Sequence, residues 1–227
     1  MIAVAIDGPA GAGKSSIARK IARNLGFVYV DTGALYRAVG LYMLERGVML
    51  GDAAAVTAAL DGLSIALQFA QGRQRVLLCG EDVTDLIRTP RVSQAASMVS
   101  AVPAVRAFLL QLQKGFAQKN NVIMDGRDIG TVVLPQAQVK IFLTASPQAR
   151  AKRRYTQLRQ KGVYADFDTI LTEILQRDDR DKNRAVAPLV PADDAVIVDS
   201  TGLTKQQVIR KIRTLIQPYL AQNLGRV

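Results

Sequence analysis

IAVAIDGPAGAGKSS, residues 2–16, sets five apolar residues and then Asp7 before a glycine-rich octapeptide, Gly8 to Ser15, that fits G-x-x-x-x-G-K-[ST]. No other stretch restricts the fold as far. The apolar run reads as a strand, the glycines as a tightly curled loop, and the residues after Gly13 as the first turn of a helix. In that order the loop's N–H groups and the helix N-terminus surround phosphate groups. Gly8, Pro9, Ala10, Gly11, Ala12, Gly13, Lys14, Ser15 and Ser16 therefore form a candidate ATP site. Lys14 would reach the β- and γ-phosphates, and the Ser15 hydroxyl would bind Mg²⁺. A glycine-rich turn without function would have no reason to sit between a strand and a helix.

Further apolar runs, FVYV at 27–30, NVIM at 121–124, VKIFL at 139–143 and AVIV at 195–198, alternate with helix-length segments. Strands that are apolar throughout are buried on both faces, so the expected fold is α/β, a doubly wound parallel sheet of about five strands. Ligands in such folds sit at the carboxyl ends of the strands. Between residues 32 and 118 the pattern changes. TGALYRAVGLYML reads as a helix, Asp52 opens a second, and LSIALQF and RQRVLLC flank the turn residues AQG as an antiparallel hairpin. Two more helices follow, the last opened by Pro103. The expected organisation is a P-loop core of residues 1–31, 119–144 and 185–227, with an insertion at 32–118 that carries a small antiparallel sheet. A short basic lid spans 145–165 and a charged helix spans 166–184.

Composition limits the chemistry. The chain of 227 residues contains no histidine, which removes Ser-His and Cys-His nucleophiles, imidazole zinc sites and the commonest general base. One cysteine, Cys79, excludes an intrachain disulfide, and its apolar setting RVLLCG reads as a buried small hydrophobe. No apolar run approaches the roughly 20 residues that span a bilayer, and the N-terminus has no export signal, so a cytoplasmic location without membrane contact is expected. A net charge of +11 points to anionic partners, either nucleic acid or phosphorylated small molecules. Residues 145–165 hold six basic residues and no acid, so Arg150, Arg153 and Arg154 are expected to close over ATP and exclude water. The basic C-terminal helix at 204–220 reads as a solvated face.

Two further segments carry chemistry. NVIM ends in DGRDIG, residues 125–130, where Asp125 at a strand end beside the P-loop is placed to orient Mg²⁺ through water and Arg127 to hold a second phosphate. RDDRDKNR, residues 177–184, packs seven charges into eight positions. Such runs are ordinarily solvated surface. On a helix, however, Arg177, Asp181 and Arg184 fall at i, i+4 and i+7, two guanidinium forks about a carboxylate, which suits a polyanion carrying a hydroxyl. No Asn-Lys-x-Asp guanine reader is present, which disfavours a GTPase. A nucleic-acid ATPase usually carries a Glu beside its acidic strand end, and here an arginine follows.

In order, IDGPAGAGKSSIA, DTGALYRA, GEDVTDLIRT, AASMVSAVPAVRAFLLQLQ, VIMDGRDIGTVV, VKIFLTAS and RDDRDKNRAVAPLVPADDAVIVDST closely resemble the bacterial cytidylate kinase family. The resemblance runs over about residues 2–215 and includes segments beyond the P-loop, although AQNLGRV at the C-terminus matches nothing in it. It implies transfer of the γ-phosphoryl group of ATP to CMP or dCMP, with Mg²⁺, by a monomer without nucleic-acid partners. It also implies that Thr32 and Arg37 lie near the acceptor phosphate and that Ser97, Arg106 and Asp128 read cytosine. Arg177 and Arg184 would then meet phosphate or base, and Asp181 the sugar hydroxyl. Lys14, Arg127, Arg177 and Arg184 are the expected catalytic residues. Two rival readings remain: a P-loop kinase for another small acceptor, and a basic nucleic-acid-dependent ATPase.

Overall fold

A computed structural model describes residues 1–70 and 73–224. Five parallel strands form the central sheet: β1 (Ala3–Asp7), β2 (Val28–Asp31), β6 (Val122–Asp125), β7 (Val139–Thr144) and β8 (Val196–Asp199), in the order β2-β6-β1-β7-β8. The five runs picked out as strands are these five. In the inner strands the continuous apolar character has a direct cause, since alternate residues enter different cores; β8, at the sheet edge, buries only Val198 and leaves Val196 and Ile197 exposed, against the expectation of burial on both faces. Ile2, Val4 and Ile6 pack against α1 (Lys14–Leu25) and α8 (Lys205–Leu224), while Ala5, Val30 and Met124 face Leu110 and Phe116 of α5 (Pro103–Lys119).

Two glycines let β1 turn into α1. Gly8 has φ 142°, and a Cβ there would lie 2.0 Å from the Leu143 carbonyl oxygen on β7. Gly13 caps α1 at φ 97°. Only glycine fits both the conformation and the first contact.

Residues 32–118 build a separate core. Helix α2 (Thr32–Glu45), begun by the Asp31 carboxylate accepting from Ala34 N–H at 3.0 Å, supplies Leu35, Val39 and Met43. Against it pack α3 (Ala53–Ala58), capped by Asp52, the strands β3 (Ile65–Ala70) and β4 (Arg73–Leu78), and α4 (Pro90–Val99), while the exposed β5 (Glu81–Asp82) only pairs with the edge of β4. The hairpin is antiparallel as expected, with Ile65 opposite Leu78; of the expected turn residues AQG, Ala70 ends β3 and residues 71 and 72 lie outside the described residues. Cys79, expected inside, is exposed with φ 49°, because the chain turns there rather than continuing the strand. No single helix among the described residues is long and apolar enough to cross a membrane.

The basic segment departs from expectation. It forms α6 (Pro147–Gln160), followed by a turn and α7 (Phe167–Asn183). Arg150, expected over ATP, is 2% exposed and fully engaged. Its Nε donates to the Ala145 carbonyl, one terminal nitrogen to Ala10 O at 3.0 Å and Asp178 Oδ1 at 2.9 Å, and the other to Asp178 Oδ2. Arg153 is likewise committed, to Ser200 Oγ and O and weakly to Ala12 O. These two arginines brace the P-loop from behind because their stems lie on the inner face of α6. Arg154, on the outer face, bonds only Gln157 at 3.3 Å and borders the cleft.

Removing one partner of a buried ion pair strands the other charge. Asp178→Ala should therefore destabilise the protein by about 3–5 kcal/mol in thermal or urea unfolding. A loss below about 1 kcal/mol would show the pair to be worth no more than a surface contact.

Candidate functional site

The carboxyl edge of the sheet concentrates acid. AVAID, VYVD, VIMD and VIVD each end in aspartate: Asp7, Asp31, Asp125 and Asp199. Asp31 and Asp125 are register partners on neighbouring strands. This recurrence was the signal for Asp7 and Asp31, which motif reasoning passed over. Asp125 Oδ2 accepts from Ser15 Oγ at 2.8 Å and Oδ1 from Tyr29 OH at 2.7 Å. Burial, reinforced by the Asp31 carboxylate, pushes Asp125 up to about 6 against the opposing pull of Lys14, Tyr29 and Ser15. Tyr29, also not foreseen, is thus what fixes the rotation of the Asp125 carboxylate; the Arg19 guanidinium lies 5.3 Å from its ring centre.

Lys14 begins α1, is 5% exposed, and donates to the Gly8 and Pro9 carbonyls at 2.7 and 2.8 Å. Burial lowers its pKa well below the usual lysine range, and Arg127 adds to the effect. Ser16 Oγ turns back to Gly13 O at 3.0 Å, so its hydroxyl serves the helix start.

Beyond the P-loop opens a cleft of about 240 Å³, walled by Lys14, Ser15, Thr32, Arg37, Ser97, Arg106, Asp125, Arg127, Asp128, Arg177, Asp181 and Arg184. Residues separated by more than a hundred positions in sequence thus share one enclosure. It continues into a wider groove of about 940 Å³ bordered by Arg19, Arg88, Arg91, Arg154 and Arg180.

Three of the cleft arginines are paired closely with carboxylates. Arg37 donates to Asp31 Oδ2 at 2.9 Å, Arg127 Nε to Asp181 Oδ2 at 2.8 Å, and Arg106 to Asp128 Oδ2. Arg106 also bonds Ser100 O at 3.3 Å and lies 5.8 Å from the Tyr36 ring centre. Thr32 hydroxyl donates to Asp125 O at 2.8 Å, tying α2 to the end of β6. Burial works against the Asp181 carboxylate, but the guanidinium groups of Arg127, Arg177 and Arg184 together outweigh it and hold the group below the usual range.

Three guanidinium nitrogens are buried without a partner: Arg37 Nε, Arg177 Nε and a terminal nitrogen of Arg184. Arg177 is lowered to about 10 by burial and then by Arg127, so it stays protonated at neutral pH. One placement needs correction. Arg184 is not on the α7 face shared by Arg177 and Asp181. It follows the helix in extended conformation at ψ 139°, anchored by its Nε to Ala187 O, and reaches the cleft by the chain's exit from the helix. Its free end lies 3.9 Å from Asp128 Oδ1.

Buried, charged donors without acceptors, beside a P-loop and a serine–carboxylate pair, define a site for phosphate-bearing ligands. Comparison with known proteins agrees. The family model described as cytidylate kinase matches residues 4–218. The chain is 49% identical over 214 residues to the cytidylate kinase of Caldicellulosiruptor saccharolyticus, covering 94% of this chain and 95% of that one. It is 49% identical over 219 residues to the Pasteurella multocida cytidylate kinase, covering 96% of each. Among solved structures, an uncharacterized protein from Eubacterium ventriosum superposes with a TM-score of 0.52 at 12% identity, covering 96% of this chain and 99% of that one, a likeness of fold alone. The agreement of sequence across nearly the whole length makes the chain a member of the cytidylate kinase family.

Proposed function

We propose that the protein transfers the γ-phosphoryl group of ATP to CMP or dCMP, giving ADP and CDP or dCDP. The observation that carries this beyond family membership is the meeting, in one cleft, of P-loop residues with partnerless guanidinium nitrogens of Arg37, Arg177 and Arg184. A phosphate oxygen of the acceptor attacks the γ-phosphorus; a P–O bond forms to it as the bond to the β-phosphate oxygen breaks. That nucleophile is anionic near neutral pH, so no strong base is needed and a chain without histidine suffices. What must be supplied is alignment and charge neutralisation.

Roles follow from position. P-loop N–H groups and Lys14 receive the donor's phosphates, whose oxygens compete with the Gly8 and Pro9 carbonyls for the ammonium. Arg37, Arg127, Arg177 and Arg184 gather the acceptor phosphate and the group in transfer. Ser15 and Asp125 suit Mg²⁺: they are hard oxygen donors 2.8 Å apart, with the carboxylate buried and its charge opposed by a second one. Mg²⁺ held there neutralises charge on the donor phosphates. Residues 32–118 serve as the acceptor lobe and 145–165 as the lid, with Arg154 its cleft-facing arginine.

Ser97, Arg106 and Asp128 read the base. Cytosine offers an N4 amino donor beside O2 and N3 acceptors, which a carboxylate and a guanidinium complement. UMP reverses the N3 and N4 positions and sets like against like. Coupled ADP release with CMP, dCMP, UMP, AMP and GMP should favour cytosine nucleotides over UMP by roughly three to five orders of magnitude in kcat/KM. Comparable rates with CMP and UMP would reject this base reading, and polynucleotide-stimulated ATP hydrolysis without transfer to any monophosphate would reject the kinase.

Arg184→Lys keeps the charge but loses the planar fork. It should lower kcat/KM for CMP by roughly 10- to 100-fold, the worth of one charge-assisted hydrogen bond. Unchanged kinetics would mean that the Arg184 fork does not hold the acceptor.

A further inference from the structure

We propose that Asp7 is a positioning residue for acceptor recognition: from the end of the central strand it holds the 128–130 turn and thereby releases Asp128 to face the cleft. This rests on Asp128 being the base-reading carboxylate.

Asp128 is an unused cap. Residues Ile129–Val133 form a single π-helical turn, in which Val133 N–H bonds back to Asp128 O and Leu134 N–H to Ile129 O. Aspartate in the position before a helical turn ordinarily accepts from the first exposed N–H groups. Asp128 stands in that position, yet its side chain makes no such bond. The N–H groups of Ile129 and Gly130 donate instead to Asp7 Oδ1 and Oδ2, at 2.8 and 2.7 Å, across 122 and 123 positions of sequence. The Asp128 carboxylate is therefore free to pair with Arg106 and to stand 3.9 Å from Arg184.

The clamp is rigid and local to the site. Asp7 is 5% exposed, lies on the strand at the centre of the sheet, and immediately precedes Gly8 of the P-loop. The same joint is close at residue 130, where a Cβ would lie 3.3 Å from Lys140 Cδ and 3.4 Å from Asp7 Oδ2, so an added methyl would have to shift the lysine stem. Burial pushes Asp7 up to about 6, opposed by the two N–H groups and Lys14 and assisted by Asp128. A fold that only needed the turn capped could have used Asp128 and left residue 7 apolar. π-helical turns of this kind are frequent at functional sites.

Asp7→Asn preserves size but turns one acceptor into an NH₂ group facing a backbone N–H, so one arm of the clamp is lost. Gly130→Ala presses on the same joint from the other side and serves if Asp7→Asn fails to melt cooperatively. Both are compared with the unsubstituted protein and Asp128→Asn, reading the melting temperature, KM for ATP, and kcat/KM with CMP and with UMP. The expected result is a fall of at least about tenfold in the CMP-to-UMP ratio of kcat/KM for Asp7→Asn and Gly130→Ala, carried by KM for CMP, with KM for ATP changed by less than about threefold. A purely structural role lowers the melting temperature and leaves the ratio within about twofold of the unsubstituted protein. That outcome, with Asp128→Asn still collapsing the ratio, overturns the role of Asp7 and spares the base reading. Equal use of CMP and UMP by the unsubstituted protein overturns both.

Discussion

Like charges crowded into a cleft repel, and the cost of keeping them there rises as water is excluded. Arg37, Arg106, Arg127, Arg177 and Arg184 all line one small enclosure, and the rest of the site is arranged around making that arrangement tolerable. Asp31, Asp128 and Asp181 each accept from one guanidinium, so three of the five charges are offset pair by pair while the cleft keeps an excess of positive charge and unused N–H groups. Arg177 makes no ion pair, and its lowered pKa records the strain of that position. Removing a carboxylate from such a set would not simply free its arginine; it would leave a buried cation among cations.

The aspartates at the ends of the strands show how environment divides one residue type into several tasks. Asp199, exposed, accepts from Thr201 N–H and hydroxyl and closes a turn; those bonds hold its pKa below the usual range. Asp31 caps α2 with one oxygen and holds Arg37 with the other. Asp125 and Asp7, both buried, are pushed up to about 6, the first beside the P-loop serine and the second beneath the turn that carries Asp128. Parallel pairing places these chain positions along one edge, which is why the chemistry gathers there.

Much of this was readable in the sequence wherever the deciding physics is local. The strands betray themselves by short, largely unbroken apolar runs, and the P-loop by glycines at the places where φ is positive or a Cβ would strike β7. Family resemblance then gathered distant residues that no spacing rule could connect, such as Ser97 and Asp128. What stayed hidden was pairing across the fold. Nothing in ASPQARAKRRY distinguishes Arg150, enclosed against Asp178, from Arg154, which borders the open groove; only the docking of α6 on α7 separates them. Nor could helical spacing reveal that α7 ends one residue before Arg184, since a boundary shift of that size lies within the ordinary scatter of helix ends.

Helix α7 holds both halves of the site through a single turn. Asp178 reaches Arg150 and through it the Ala10 carbonyl of the P-loop, while Asp181, three residues on, reaches Arg127 at the end of β6. An inserted or deleted residue inside α7 ahead of Asp178 would rotate everything beyond it by about 100°, taking both carboxylates away from their partners at once. A residue added in the turn at 161–166, ahead of the helix, would instead leave the phase of α7 and both of these pairings in place.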